Sequence, residues 1–123
     1  MKQMKLEEMT VDQLVERFVE IGLDQDRALL ENDVGGFNRL FDQMQAVNQE
    51  LKSRTGDQRR ALLSLYKHPN LQVRLKAAMT TLAIAPQAAR DVLEAIKASK
   101  QQPQALDAGM SLRNFDQGIY KPT

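Results

Sequence analysis

The chain has 123 residues and a mass of 13.9 kDa, a length typical of one domain. It contains no cysteine, which excludes a disulfide scaffold, a thiol nucleophile and a zinc site with cysteine ligands. No apolar run is long enough to cross a bilayer, and the charged N-terminus lacks the apolar core of a signal peptide. We therefore expect a cytoplasmic protein with one domain over residues 1–123. Within it, residues 1–9 are expected to be flexible and residues 101–123 to form a C-terminal cap.

Charge is distributed unevenly along the chain, although the formal net charge is only +1. Residues 1–33 contain four basic and nine acidic residues, a net charge of −5, whereas residues 34–99 contain ten basic and five acidic residues, a net charge of +5. The densest basic stretch, which we call the basic ridge, consists of Lys52, Arg54, Arg59, Arg60, Lys67, Arg74 and Lys76. This separation predicts either an acidic helix packed beside the ridge or two surfaces for different partners.

Two long amphipathic helices are predicted in the first half of the chain. Thr10 caps the first helix, which ends near Asn32, and Gln13 completes a capping-box pattern. Asp33 caps the second helix, which ends near Arg54. The predicted apolar stripes are Val11, Leu14, Val15, Phe18, Ile21 and Leu23 in the first helix, and Phe37, Leu40, Phe41, Met44, Val47 and Leu51 in the second.

Four shorter helices are predicted in the second half. One covers residues 58–67 and ends before Pro69, because proline disfavours helical geometry in the residue before it. The next covers residues 71–84, another begins at Pro86, and the last runs from Pro103 to about residue 114. No stretch alternates apolar and polar residues, so the fold is predicted to be all-α with short connections. The predicted C-terminal cap over the last helical pair consists of Leu112, Phe115, Ile119 and Tyr120.

The stretch from His68 to Leu82 resembles the second helix of a HEAT or armadillo-type repeat. It has a turn with proline, then Val73-Arg74, then paired alanines and a leucine four residues on. The segment after it resembles the next helix of such an array. The resemblance implies a short right-handed α-α superhelix, a HEAT/armadillo-like solenoid of about five or six helices. It also implies a scaffold role for Arg74, since this arginine often holds adjacent repeats together.

The whole chain also resembles a family of short bacterial proteins catalogued as a domain of unknown function. The likeness is carried by the segments Glu50-Leu51-Lys52, Arg59-Arg60, Val73-Arg74 and Ala108-Gly109-Met110-Ser111-Leu112, together with Gly118. The resemblance implies a HEAT-like α-solenoid and brings no catalytic role with it.

No combination of residues indicates catalysis or a metal site. His68 lies in a helix-breaking turn with no nucleophile or orienting carboxylate near it in sequence, which favours a loop or capping role. Asp12, Glu16 and Glu20 share a helix face opposite the apolar stripe, which favours a solvated surface over a cation site. The glycine pair at 35–36 lacks the rest of a phosphate-binding loop, which favours a turn. We therefore predict no enzymatic activity, no cofactor and no metal.

Two binding functions follow from the basic ridge. The first is a protein-interaction module that binds an acidic protein partner through Arg59, Arg60, Arg74 and Lys76, because guanidinium groups pair well with carboxylates. The alternative is a nucleic-acid-binding HEAT-like module that uses the same ridge, since clustered cations neutralise phosphates. The competing structural interpretation is that the ridge packs beside the acidic first helix, in the same chain or in a second copy, which adds a homodimer to the candidate assemblies. No membrane partner is expected.

Overall fold

The structure, a computed structural model, describes residues 4–123, which form helices and no strand. The all-α prediction is confirmed. Two compact units make up the chain, one ending at Ala61 and the other covering Leu62–Thr123. Residues 1–9 are predicted to be flexible, and residues 1–3 of this segment lie outside the described residues. The helices are a first 3-10 helix (Leu6–Glu8), α1 (Val11–Leu30), α2 (Val34–Ser53), a second 3-10 helix (Gln58–Lys67), α3 (Leu71–Thr81), α4 (Pro86–Ser99) and α5 (Gln104–Asp116).

The N-termini of α1 and α2 are fixed by the caps that the sequence predicts. Thr10 Oγ1 accepts a hydrogen bond from the Gln13 backbone N–H at 3.1 Å, and Gln13 Oε1 accepts one from the Thr10 N–H at 2.8 Å. Asp33 Oδ1 accepts from the Gly36 N–H at 2.9 Å. A Cβ atom at Gly36 would lie 2.3 Å from Asp33 Oδ2, so the second glycine of the pair makes room for the cap. Both glycines lie in the first turn of α2, so the prediction of a turn outside the helix at residues 35–36 is wrong.

In the first unit, α1 and α2 pack against each other over their lengths of 20 residues each. The short connection between them makes the pair an antiparallel hairpin. The fully buried side chains of the pair are Leu14, Phe18, Ile21, Gln25, Val47 and Leu51. Gln25 is the one that the sequence pattern does not predict.

The predicted stripe of α1 is wrong at its end. Leu23 is 41% exposed, because it follows Ile21 by two residues and so points about 200° away from it around the helix. Gln25 takes the inward position instead, with its Nε2 atom 3.8 Å from Met44 Sδ. The stripe of α2 is likewise buried only in its second half, since Phe41 is 41% exposed. Because Gln25 is buried, the inward face of the hairpin is more polar than the apolar stripes of the two helices predict.

Two predicted helices differ in form or length from the expectation. Residues 58–67 are helical as predicted, but the helix is of the 3-10 type. α3 ends at Thr81 rather than at Ile84, and the Thr81 carbonyl oxygen accepts from the N–H groups of Ile84 and Ala85 at 3.1 and 2.9 Å. The physical reason is Pro86, which disfavours helical geometry in Ala85; that residue has φ −143° and ψ 62°.

The second unit is a cluster of three packed helices. α3 packs against α4 and α5, and α4 packs against α5. Their shared core consists of Leu75, Ala78, Leu82, Ala89, Leu93, Ile96, Ala108 and Leu112. The small side chains of Ala78, Ala89 and Ala108 allow the helices to approach closely. Phe115 packs against the edge of this core, as the predicted cap requires.

The rest of the predicted C-terminal cap is wrong. Ile119 is 70% exposed and Tyr120 is 45% exposed. Gly118 has φ +69°, and the N–H groups of Ile119 and Tyr120 both bond to the carbonyl oxygen of Asn114, at 2.9 and 3.1 Å. The chain therefore turns back on the end of α5 instead of continuing across the core.

Two polar contacts cross between elements of the second unit. Gln104 Nε2 donates to Gln72 Oε1 at 3.1 Å, and both residues are buried, at 5% and 1% exposure. The hydroxyl groups of Tyr66 and Thr81 are hydrogen-bonded to each other. Thr81 Oγ1 also donates to the Ala77 carbonyl at 2.8 Å. These bonds fix α5 and the end of the second 3-10 helix against α3.

Candidate interaction surface

Of the four predicted partner-binding residues, Arg59 and Arg60 belong to the first unit and have opposite environments. Arg59 is only 4% exposed, and its Nε and Nη2 atoms donate to Asp57 at 2.9 and 2.7 Å. The Arg59 hydrogen bond lowers the pKa of the Asp57 carboxyl below its usual range. Arg60 is exposed. Arg59 is therefore positioned to stabilise the chain around Asp57, whereas Arg60 is accessible to a partner.

Replacing Arg59 by alanine is expected to lower the free energy of unfolding by about 1 kcal/mol at neutral pH, since it removes the hydrogen bonds of a buried guanidinium to a carboxylate that is itself 34% exposed. Because the folded-state pKa of Asp57 is lowered, the pair stabilises the protein above the unfolded pKa of about 3.9. That stabilisation is lost as the pH falls through the folded-state pKa. Urea unfolding of both proteins at pH 7 and pH 3 measures the difference. An equal difference at both pH values would contradict the assignment.

Arg74 and Lys76 belong to the second unit and lie on α3, two residues apart, so they point in different directions around the helix. Both are half-buried. The Arg74 Nε atom is buried and has no hydrogen-bond partner among the described residues. Burial lowers the pKa of the Lys76 ammonium group, while the Asp107 carboxylate acts in the opposite direction. α3 therefore does not present these two cations as one exposed surface.

The residues considered as candidates for catalysis or metal binding lie in a helix cap or on an exposed helix face. His68 Nδ1 accepts a hydrogen bond from the Asn70 N–H at 3.0 Å, and Asn70 in turn caps α3. Asp12, Glu16 and Glu20 are exposed. Residues 4–123 contain no group of three or more His, Cys, Asp or Glu side chains that could hold a metal ion. Across the same residues, none of the helices has the length and apolar character needed to span a bilayer.

A groove between α4 and α5, which the sequence does not predict, is a surface feature of the second unit. Its volume is about 760 Å³. Apolar side chains from α5 line it, and two of them are strongly exposed: Leu106 at 59% and Met110 at 53%. These residues are four apart and so share one side of α5, whereas Ala105, Ala108 and Leu112 face the core. We call this feature the α4–α5 groove.

The charges of the α4–α5 groove are unbalanced. Two carboxylates line it, Glu94 and Asp116, and both are paired with Arg90. The Arg90 hydrogen bond lowers the pKa of the Asp116 carboxyl. Three cations also line the groove and form no ion pair with any residue between 4 and 123: Lys97, Lys100 and Arg113. The groove thus combines exposed apolar side chains with cations that are available to an external carboxylate.

The lining of the α4–α5 groove combines hydrogen-bond donors, two carboxylates and apolar side chains, and it includes no histidine, serine or tyrosine. The sequence signal for it is the spacing of Leu106 and Met110 outside the core positions of α5. That signal is weak, because exposed single hydrophobic residues are common on protein surfaces.

Comparison with known proteins places this fold in a family. The chain is 53% identical in sequence to the protein RPA1889 from Rhodopseudomonas palustris CGA009, whose crystal structure is similar with a TM-score of 0.94. The match covers 98% of this chain and 100% of that one. No curated protein has a significant match to this chain. Residues 12–116 match the family described as "Domain of unknown function (DUF2019)", and the chain therefore belongs to that family.

Proposed function

We propose that the chain is a cytoplasmic, non-enzymatic protein-interaction module with a HEAT-like arrangement of helices, which binds an acidic protein partner. The observation that carries this proposal is the α4–α5 groove, where three cations without an ion pair among residues 4–123 lie around exposed Leu106 and Met110. Exposed apolar anchors with charged residues around them are typical of surfaces that bind proteins. A carboxylate-bearing partner would neutralise the cations while covering the apolar side chains.

The basic ridge supports the same proposal through a smaller set of residues than the sequence predicts. Arg60 is the member of the predicted set whose side chain is exposed. Arg59 is hydrogen-bonded to Asp57, and Arg74 and Lys76 are half-buried, which favours structural roles for all three. We therefore propose the α4–α5 groove as the main contact and treat Arg60 as a separate, second contact to be tested by itself.

Capture of partners with the full-length chain tests the proposal. The groove variant Lys97→Glu/Lys100→Glu is expected to bind a purified captured partner about tenfold more weakly than wild type, because it replaces attraction by repulsion. Arg60→Glu tests the ridge in the same assay. The matched control is Lys5→Glu/Lys121→Glu, which changes the net charge equally at exposed positions outside both surfaces. Wild-type affinity in both the groove variant and Arg60→Glu would overturn the proposal.

The same cations are also the feature on which a nucleic-acid-binding module would depend. A gel-shift assay with duplex DNA at low salt separates the two functions, since phosphate binding is strongest there. We expect no shift, because residues 1–61 contain nine basic and twelve acidic residues and would repel a polyanion. A shift that the groove variant abolishes would replace the protein-binding proposal by the nucleic-acid alternative.

A further inference from the structure

The first unit carries an exposed apolar feature of its own, at the corner between α1 and α2. Leu30 is 81% exposed and Val34 is 71% exposed, the highest values among the exposed large hydrophobic residues of the protein. Glu31 and Asp33 lie between them in the chain, and both are exposed. We call these four residues the acidic corner. Leu30 ends α1 and Val34 begins α2, so the short connection brings both exposed apolar residues to the same corner of the hairpin.

The acidic corner and the α4–α5 groove are complementary. The corner offers two apolar side chains with two carboxylates, and the groove offers two exposed apolar side chains with three cations that form no ion pair among residues 4–123. We propose that a second copy of this chain is a partner of the groove, and that it docks by its acidic corner. This inference rests on the proposed function, since it takes the groove to be a protein-binding site and names what binds there.

The overall charge of the two units favours the same contact. Residues 1–61 have a net charge of −3, from nine basic and twelve acidic residues. Residues 62–123 have a net charge of +4, from eight basic and four acidic residues. The first unit of one copy and the second unit of another therefore attract each other, and added salt weakens that attraction. In a two-fold dimer the corner-to-groove contact occurs twice, which gives a closed assembly.

A charge-exchange experiment tests this contact. The groove variant, Lys97→Glu/Lys100→Glu, places glutamates in the groove, which repel the acidic corner of the other copy. The corner variant, Glu31→Lys, places a lysine in the corner, which the basic groove of the other copy repels. Each variant alone is expected to self-associate about tenfold more weakly than wild type. In an equimolar mixture, one contact of a heterodimer keeps the wild-type charges and the other brings the introduced lysine to the introduced glutamates, so association is expected to return to within about threefold of wild type. Sedimentation equilibrium over a concentration series at low salt measures all three samples.

Controls keep the test independent of folding and of total charge. Lys5→Glu/Lys121→Glu is expected to associate as the wild type does, and circular dichroism checks that every variant is folded. Leu30→Ser and Leu106→Ser provide a second pair, which removes apolar contacts without changing charge and is expected to weaken self-association about tenfold each.

The outcomes distinguish this inference from the proposed function. A wild-type chain that stays monomeric at every concentration and at low salt would overturn the second copy as a partner. So would a mixture of the two charge variants that associates no better than either alone. Neither result alters the capture assay, in which loss of a different partner by the groove variant supports the proposed function by itself.

Discussion

Removal of residues 104–123 is expected to prevent the second unit from folding cooperatively. α5 supplies Ala105, Ala108 and Leu112 to the buried interior, and its loss exposes the surfaces of Leu75 and Leu93 that they cover. Exposing a helical core in this way also promotes aggregation. Thermal unfolding followed by circular dichroism, with light scattering in parallel, is expected to show a broad, low transition and soluble aggregates.

A shorter deletion is the matched control for this truncation. Residues 119–123 lie beyond α5, and both of their large apolar side chains, Ile119 and Tyr120, are exposed. Removing these five residues is expected to leave the melting temperature within about 2 °C of wild type. A 104–123 deletion that melts like the full chain would show that α5 is not part of the cooperative core.

Replacing Leu93 by alanine is expected to lower the free energy of unfolding by about 3 kcal/mol, within the range of 2–5 kcal/mol typical of buried leucine-to-alanine changes. Leu93 is 0% exposed and lies in the core formed by α3, α4 and α5. The loss combines the transfer free energy of the deleted methyl groups with the cost of the cavity that remains. Urea unfolding monitored by circular dichroism gives the difference in free energy.

The same substitution at Leu106 is the control, because this leucine is 59% exposed on α5. It is expected to change the free energy of unfolding by less than about 0.5 kcal/mol. Under the proposed function it nevertheless weakens binding in the α4–α5 groove. A large loss of stability at Leu106, or none at Leu93, would contradict the assignment of core and surface in the second unit.

The helices of this protein were predictable from local signals, because their ends depend on neighbouring residues. Thr10 with Gln13 fixes the start of α1, Asp33 fixes that of α2 and Pro86 that of α4, whereas the early end of α3 at Thr81 departs from the prediction. The type of the helix over Gln58–Lys67 was not predictable in this way. Helical spacing alone does not distinguish a 3-10 from an α-helix in so short a segment.

The surface was harder to predict because charge in a sequence does not indicate whether a cation is already paired. Arg59 and Arg60 are adjacent and chemically identical, yet Arg59 is buried against Asp57 and Arg60 is exposed. Similarly, the sequence does not show that Lys97 and Lys100 line one groove with Leu106 and Met110, because α4 and α5 come together only in the folded second unit.

The hydrogen bond between Gln72 and Gln104 constrains how this family can diverge. Each amide is a buried partner of the other, so replacing one by an apolar residue removes a hydrogen bond from a buried amide. Replacing both together by apolar residues of similar volume avoids that penalty. Among relatives, these two positions, 32 residues apart in the chain, are therefore expected to change as a pair and to carry a covariation signal that links α3 to α5.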